Sequence, residues 1–340
     1  LIPFTLYDMM RIRIICAMQS YKKRNTFITQ MEEITDFESF YNTKLKPSLQ
    51  DLKLHSNDAS GWSISALLFG MFAIFCFLLL QIFIGILLLI FVLISIYKYT
   101  KKKELFIEDY KETVIAEIIK YLNPDLIYKH NEYMSPSDYE KSNLYRKIYD
   151  YYSGGDFISG VYNKLQFYCS ELEVAHDRPS TMPYGGNTVT AIFKGLFFAT
   201  PLKIYFPGAV YIWPKGEEQL AGSMMDEYYK LLPLPDVYHV SMNDSVFENS
   251  FSVYSTNPSV ASSIADHDLM QRLIKFKEDI EKDVRLSFVG GVCYVSISIN
   301  RDLLKPSMLK PDSKETIKEY FVSVKLIFNI IDQLNFSRFV

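Results

Sequence analysis

Two carboxylates two positions apart on a strand are the simplest arrangement here that could do acid–base chemistry. Glu171 and Glu173 have that spacing, and strand alternation sends both to one face. Such a pair divides acid and base roles when its two environments differ; a solvated strand face is the plainer reading and is the expectation. Asp266-His267-Asp268 sets an imidazole between two carboxylates, all metal-ligand types. Successive helical residues diverge by about 100°, so the three do not converge, and a helix entry capped by an aspartate is expected. His176-Asp177-Arg178-Pro179 reads as a polar turn, and no Gly-x-Ser-x-Gly elbow accompanies it. Cys16, Cys76, Cys169 and Cys293 form no Cys-x-x-Cys pair and have no local His, which leaves thiol catalysis without a candidate. His55, His130, His176, His239 and His267 are scattered, so no structural zinc set is expected. Plentiful carboxylates leave a weak magnesium or calcium site as the alternative.

Two glycine pairs, in Ser153-Gly154-Gly155-Asp156 and at Gly185-Gly186, lack the Lys-Ser/Thr of a phosphate loop and read as turns. In Phe193–Phe198, Lys194 and Gly195 hint at a ligand groove, but alternating Phe193, Gly195 and Phe197 favour a core strand. No catalytic, cofactor-binding or metal residue is therefore assigned, and no cofactor is expected.

The elements that would position such groups begin with composition. The chain has 340 residues, 49% hydrophobic and 22% charged, enough for a packed core. Lys plus Arg is 36 against 39 Asp plus Glu, a net charge of -3 that gives no global attraction to nucleic acid. Four unpaired cysteines fit a reducing compartment. Aromatics reach 15%, which favours strands and membrane-interface belts.

Trp62 to Tyr97 is a run of 36 residues without a charge. One helix of that length would span about 54 Å, against a hydrocarbon core of about 30 Å. Two short helices fit better, Trp62 to Leu79 and Phe83 to Tyr97, turning near Gln81 to Gly85. Lys44, Lys46 and Lys53 precede the run, and Lys98, Lys101, Lys102 and Lys103 follow it. Basic flanks on both sides place both in the cytoplasm, as a hairpin requires. The lysines after the run also suit anionic headgroups, at about 1 kcal/mol each.

Four segments are expected: residues 1–61, a cytoplasmic arm with an amphipathic helix; 62–97, the transmembrane hairpin; 98–143, a membrane-proximal helix and linker; and 144–340, a cytoplasmic α+β domain. No function is placed before about residue 30, since Met18 and Met31 could each be a true start. Helical spacing covers Met31 to His55, with Pro47 expected to interrupt it. A second amphipathic helix, Glu104 to Leu122, stops at Asn123-Pro124. Strands are expected at Val161–Val174, Thr188–Phe198, Leu202–Trp213, Val237–Met242 and Val246–Tyr254. One helix, Ser259–Lys282, follows. Val284–Val289 and Val292–Ile299 then form a hairpin across Gly290-Gly291, and a last helix covers Asp312–Leu334. Without recurring strand–helix alternation the sheet is expected to be antiparallel, with an embedded helix and a C-terminal helix. The core candidates are Phe193, Leu196, Phe198, Phe247, Phe251, Val253, Leu273, Val295 and Ile297.

Four blocks in order carry a family resemblance: Phe37 to Lys53, Tyr110 to Tyr128, Phe193 to Phe198 and Phe247 to Ser255. Together they resemble a family of bacterial membrane proteins, domain of unknown function 3137. The resemblance implies two inner-membrane helices near the N-terminus and a cytoplasmic β-rich domain. It implies no activity. After Phe-x-Val-Tyr-Ser the family pattern has an acidic residue and then Ala-Arg, where this chain has Asn257 and Ala261-Ser262, so a role of that arginine does not carry over.

The functional expectation is a non-enzymatic, membrane-anchored module. Its partners would be the lipid bilayer and a protein or lipid headgroups, not nucleic acid, with self-association compatible. The alternative is a membrane-associated hydrolase using scattered carboxylates such as Glu171, Glu173 and Asp244.

Overall fold

The computed structural model describes residues 37–78, 82–178, 188–216 and 237–339. The chain divides into two compact units. The first runs to Phe106 and includes Met308–Phe321; the second comprises Ile107–Ser307 and Val322–Val340.

In the first unit, residues 37–40 are already helical, and a π turn, Tyr41–Leu45, leads into helix α1, Lys46–Leu78. Pro47 therefore continues the helix instead of interrupting it. The wide turn just before it, in which the Lys46 N–H reaches back to the Tyr41 carbonyl, accommodates a residue that donates no hydrogen bond. Helix α2 spans Ile82–Tyr110. Gly85 thus lies inside a helix, while Gln81 falls outside the described residues. Phe69 meets Phe91 with ring centroids 4.4 Å apart, Ala73 meets Leu88, and the Lys98 ammonium sits 4.3 Å from the centre of the Trp62 ring. Elsewhere in this unit Phe37 and Phe40 pack on Phe321, and Lys53 pairs with Asp312 at 2.7 Å.

By length and composition, residues Ile84–Leu122 form a helix apolar enough to cross a membrane, and a shorter apolar stretch covers Gly61–Phe75. Only 11% of the most apolar 18-residue window in the longer helix is buried.

In the second unit a π turn, Lys111–Ile115, and helix α3, Ala116–Leu122, end at Asn123, as the Asn-Pro signal requires. Among the described residues nine strands follow in one sheet: β1 Ile127–Lys129, β2 Tyr151–Tyr162, β3 Leu165–Arg178, β4 Thr188–Pro201, β5 Val210–Pro214, β6 Tyr238–Val240, β7 Phe251–Ser255, β8 Val284–Val289 and β9 Val292–Ser298. Their order is β1-β2-β3-β4-β9-β8-β5-β7-β6, and every described pairing is antiparallel. The helices are α4 Pro136–Ser142, α5 Ser245–Glu248, α6 Pro258–Ile264, α7 His267–Ile280 and α8 Lys314–Leu334. The α+β class with an antiparallel sheet is thus as expected, and all nine core candidates are buried.

Five local readings change. The expected strand Leu202–Trp213 forms only from Val210 onward, as β5. The expected strand Val161–Val174 is the junction of β2 and β3, because Asn163 and Lys164 at φ 48° and 65° make a tight turn. Ser153-Gly154-Gly155-Asp156 lies within β2 and is not a turn. Gly154 is needed there because a Cβ would strike the Glu171 carbonyl oxygen of β3. Val246 starts in a short helix, since the Asp244 side chain accepts the Val246 and Phe247 N–H groups. The long helix Ser259–Lys282 is two, broken where Asp266 caps α7. The Gly290-Gly291 hairpin stands, with φ 60° and 77°.

One face of the sheet carries Leu172, Val174, Phe193, Phe197 and Tyr294, covered by Met134, Tyr139 and Tyr145. On the other, alternation along β3 lines up Phe167, Cys169, Glu171 and Glu173.

Candidate functional site

Register builds a polar row across three strands. Ser153 of β2 stands opposite Glu173 of β3, which stands opposite Lys194 of β4; two residues along, Gly155, Glu171 and Leu196 repeat the row. The chain leaving β9 then crosses this end of the face. The Ile299 and Asn300 N–H groups donate to the Lys194 carbonyl at 3.0 and 3.1 Å. This close approach explains Gly195, whose φ is +156° and whose added Cβ would strike the Ile297 carbonyl oxygen. Together with Ile107 and Lys111 these segments line a cleft of about 280 Å³.

Its wall is a network of paired charges. Lys194 Nζ lies 2.9 Å from Glu173 and 2.8 Å from Asp302, and Lys305 lies 2.7 Å from Asp302. Hydrogen bonds to Asp302 and then Glu173 raise the Lys194 pKa above the ordinary lysine range. Burial pushes the Asp302 carboxyl up, but the hydrogen bonds from Lys194 and Lys305 outweigh it and hold the group below its usual value.

A deeply placed ion pair joins Lys111 and Asp156, 13% and 6% exposed, at 2.7 Å. Asp156 sits at a β-bulge in β2 with φ 57°, a left-handed conformation that aspartate tolerates better than most residues. Its N–H donates to the His130 carbonyl at 3.1 Å, and the Tyr128 hydroxyl donates to its carboxylate at 2.6 Å. Burial, then the Asp156 charge, pushes the Tyr128 phenol well above its usual range.

Glu171 is the group suited to proton transfer. Burial pushes its carboxyl up to about 7, against the opposing hydrogen bond from the Leu303 N–H at 2.8 Å. A carboxyl near neutrality can give or take a proton at physiological pH.

The other sequence candidates lie apart. Asp244 caps α5 and accepts from Gln271; Asp266 caps α7; Asp268 pairs with Arg272 at 2.8 Å. His176 lies against Asp150, with Nδ1 2.7 Å from its carboxylate. Cys169 and Cys293 are buried free thiols raised by desolvation, the inert kind. Gly185-Gly186 lies outside the described residues. Of the hydrolase set, the structure brings together Glu171 and Glu173 but not Asp244. Sequence reading missed Lys111, Asp156, Asp302 and Lys305. One signal was present for Asp156, since it follows a glycine pair flanked by strand-forming residues, the pattern of a bulge.

Residues 191–336 match the family model described as "Protein of unknown function (DUF3137)". This segment is similar to that family. It contains Lys194, Asp302 and Lys305 of the cleft, and two of the four blocks that carry the resemblance, Phe193–Phe198 and Phe247–Ser255. No curated protein matches the chain. One solved structure, the crystal structure of the mycobacterial trehalose monomycolate transport factor A, TtfA, is similar at 11% identity and a TM-score of 0.34. The alignment covers 65% of this chain and 94% of that one.

Proposed function

We propose that this chain is a multi-pass protein of the cell membrane, with both termini cytoplasmic, whose DUF3137-containing sheet domain is a non-catalytic binding module. The single observation that carries the anchoring is the solvent exposure of large apolar side chains along Gly61–Phe75 and Ile84–Tyr97. A water-soluble chain does not leave so much contiguous apolar surface uncovered. Three contacts support reading the two stretches as an antiparallel pair, because Trp62 meets Lys98, Phe69 meets Phe91 and Ala73 meets Leu88. Basic residues on both flanks support a cytoplasmic origin and return.

The cleft supports binding better than turnover. Its lysines are each engaged by a carboxylate, so a docking group meets alternating cations and anions. That pattern suits a protein segment or headgroup carrying both signs of charge. Its one lining hydroxyl, Ser153, sits 3.5 Å from the Glu173 carbonyl with no histidine beside it in the lining. The hydrolase reading is favoured by one observation, the Glu171 carboxyl held near neutrality.

Alkaline extraction of membranes tests the anchor: the full chain should stay with the bilayer and a chain lacking residues 62–97 should be released. Glu171→Gln in cells lacking the native copy separates the two readings. Retained function fits binding; loss from a folded, membrane-bound protein would make the domain an enzyme.

A further inference from the structure

Outside the cleft, Glu108 on α2, Glu112 in the following π turn and His130 just after β1 bring one ligand atom each to within 4.8 Å of one another. We infer that these three residues form a binding site for a divalent transition-metal ion, with Zn²⁺ as the matching chemistry. The inference is independent of the function proposed above.

Two separate costs meet at this place. The His130 imidazole is 14% exposed, and its Nε2 atom is buried with no hydrogen-bond partner. A buried ring nitrogen left without a partner is destabilising, because it loses its water and gains nothing in return. Glu108 and Glu112 present two like charges about one helical turn apart, which is destabilising. Among the described residues their one close approach to a basic group is Glu108 Oε1 to His130 Nε2, at 4.0 Å, too long for a hydrogen bond. Lys111, the cation between them in sequence, is turned to Asp156 at 2.7 Å and does not offset them. One cation satisfies all three groups at once.

The ligand set is two carboxylates and one imidazole, which favours a first-row transition ion over magnesium or calcium. Tetrahedral ligands at about 2.1 Å from zinc stand about 3.4 Å apart, so the three atoms need to draw in by little more than 1 Å. Both glutamates are exposed and free to turn, while His130 is held by its backbone, whose carbonyl accepts the Asp156 N–H. Three protein ligands leave the fourth position open to water or a partner's side chain.

The test uses the full chain in detergent, stripped with a chelator and titrated with Zn²⁺ against a chromophoric competitor. One equivalent should bind, with affinity falling at least tenfold in His130→Ala and in Glu108→Gln/Glu112→Gln. Zinc should raise the unfolding temperature of the parent and not of these variants. The double glutamine variant changes exposed groups alone, so it stays informative if His130→Ala fails to fold. Failure of the parent to bind, or an equivalent that survives the glutamine variant at unchanged affinity, would overturn the assignment.

Discussion

Phe72 and Phe75 on α1 are each 55% exposed, whereas Phe197, Phe198 and Phe251 in the sheet have no exposed surface. The same side chain thus serves two solvents. In the sheet domain its burial drives folding in water, by about 25 cal/mol for each Å² removed. On the helices it remains uncovered by protein, and a hydrocarbon phase is the environment that accepts it. The charged groups follow the opposite distribution: Trp62–Tyr97 contains none, while the sheet domain holds Lys111 and Asp156 as a buried pair.

The contrast breaks first at phenylalanine. Phe251→Ala should destabilise the sheet domain by about 3–5 kcal/mol, while Phe72→Ala leaves its thermal unfolding unchanged, both followed in the full chain by the strand signal in circular dichroism. A Phe251→Ala loss under about 1 kcal/mol would show that burial in the sheet is not what separates the two regions.

Next comes the buried pair. Lys111→Met strands the Asp156 carboxylate and should cost about 3 kcal/mol, and adding Asp156→Asn should recover most of that loss. Equal damage from the single and double changes would mean that the bulge backbone, not the charge, is what matters.

Glu171 gives a pH signature. Its folded-state value of about 7 lies above the ordinary 4.5, so the stability tied to its protonated form is fully present below about pH 4.5. That stability is lost as pH rises through about 7. Glu171→Gln keeps an acceptor for the Leu303 N–H and should be more stable than the parent at pH 8 by about 1–3 kcal/mol. The difference should vanish near pH 4. A gap that persists at low pH would contradict the desolvated carboxyl.

The smallest effect is at a cap. Asp266→Ala removes the side chain that accepts the Leu269 N–H at 2.9 Å and should lower stability by about 1 kcal/mol. A thermal melt resolves it. No measurable change would show that α7 is held by packing of Leu269, Leu273 and Phe276 alone.

Local signals carried over well where the physics is local. Asn123-Pro124 ends a helix, Gly290-Gly291 turns a hairpin, and alternation along β3 does place Glu171 and Glu173 on one face. What failed to show was long-range. Lys111, Asp156, Glu171, Lys194 and Asp302 come from a helix, three strands and a loop, and only strand order and register bring them together. Gly154-Gly155 misled because glycine marks a turn and a close strand approach with the same letter. Nothing in the letters separates a missing hydrogen-bond donor at Pro47 that breaks a helix from one absorbed by a π turn upstream.

Membrane topology tests the anchored-module reading most directly. Reporters that distinguish the two sides of the membrane, fused after residue 55 and after residue 105, should both give the cytoplasmic signal if the apolar stretch enters and returns. Opposite signals from the two fusions would mean a single crossing and would place the N-terminal arm and the sheet domain on different sides of the bilayer.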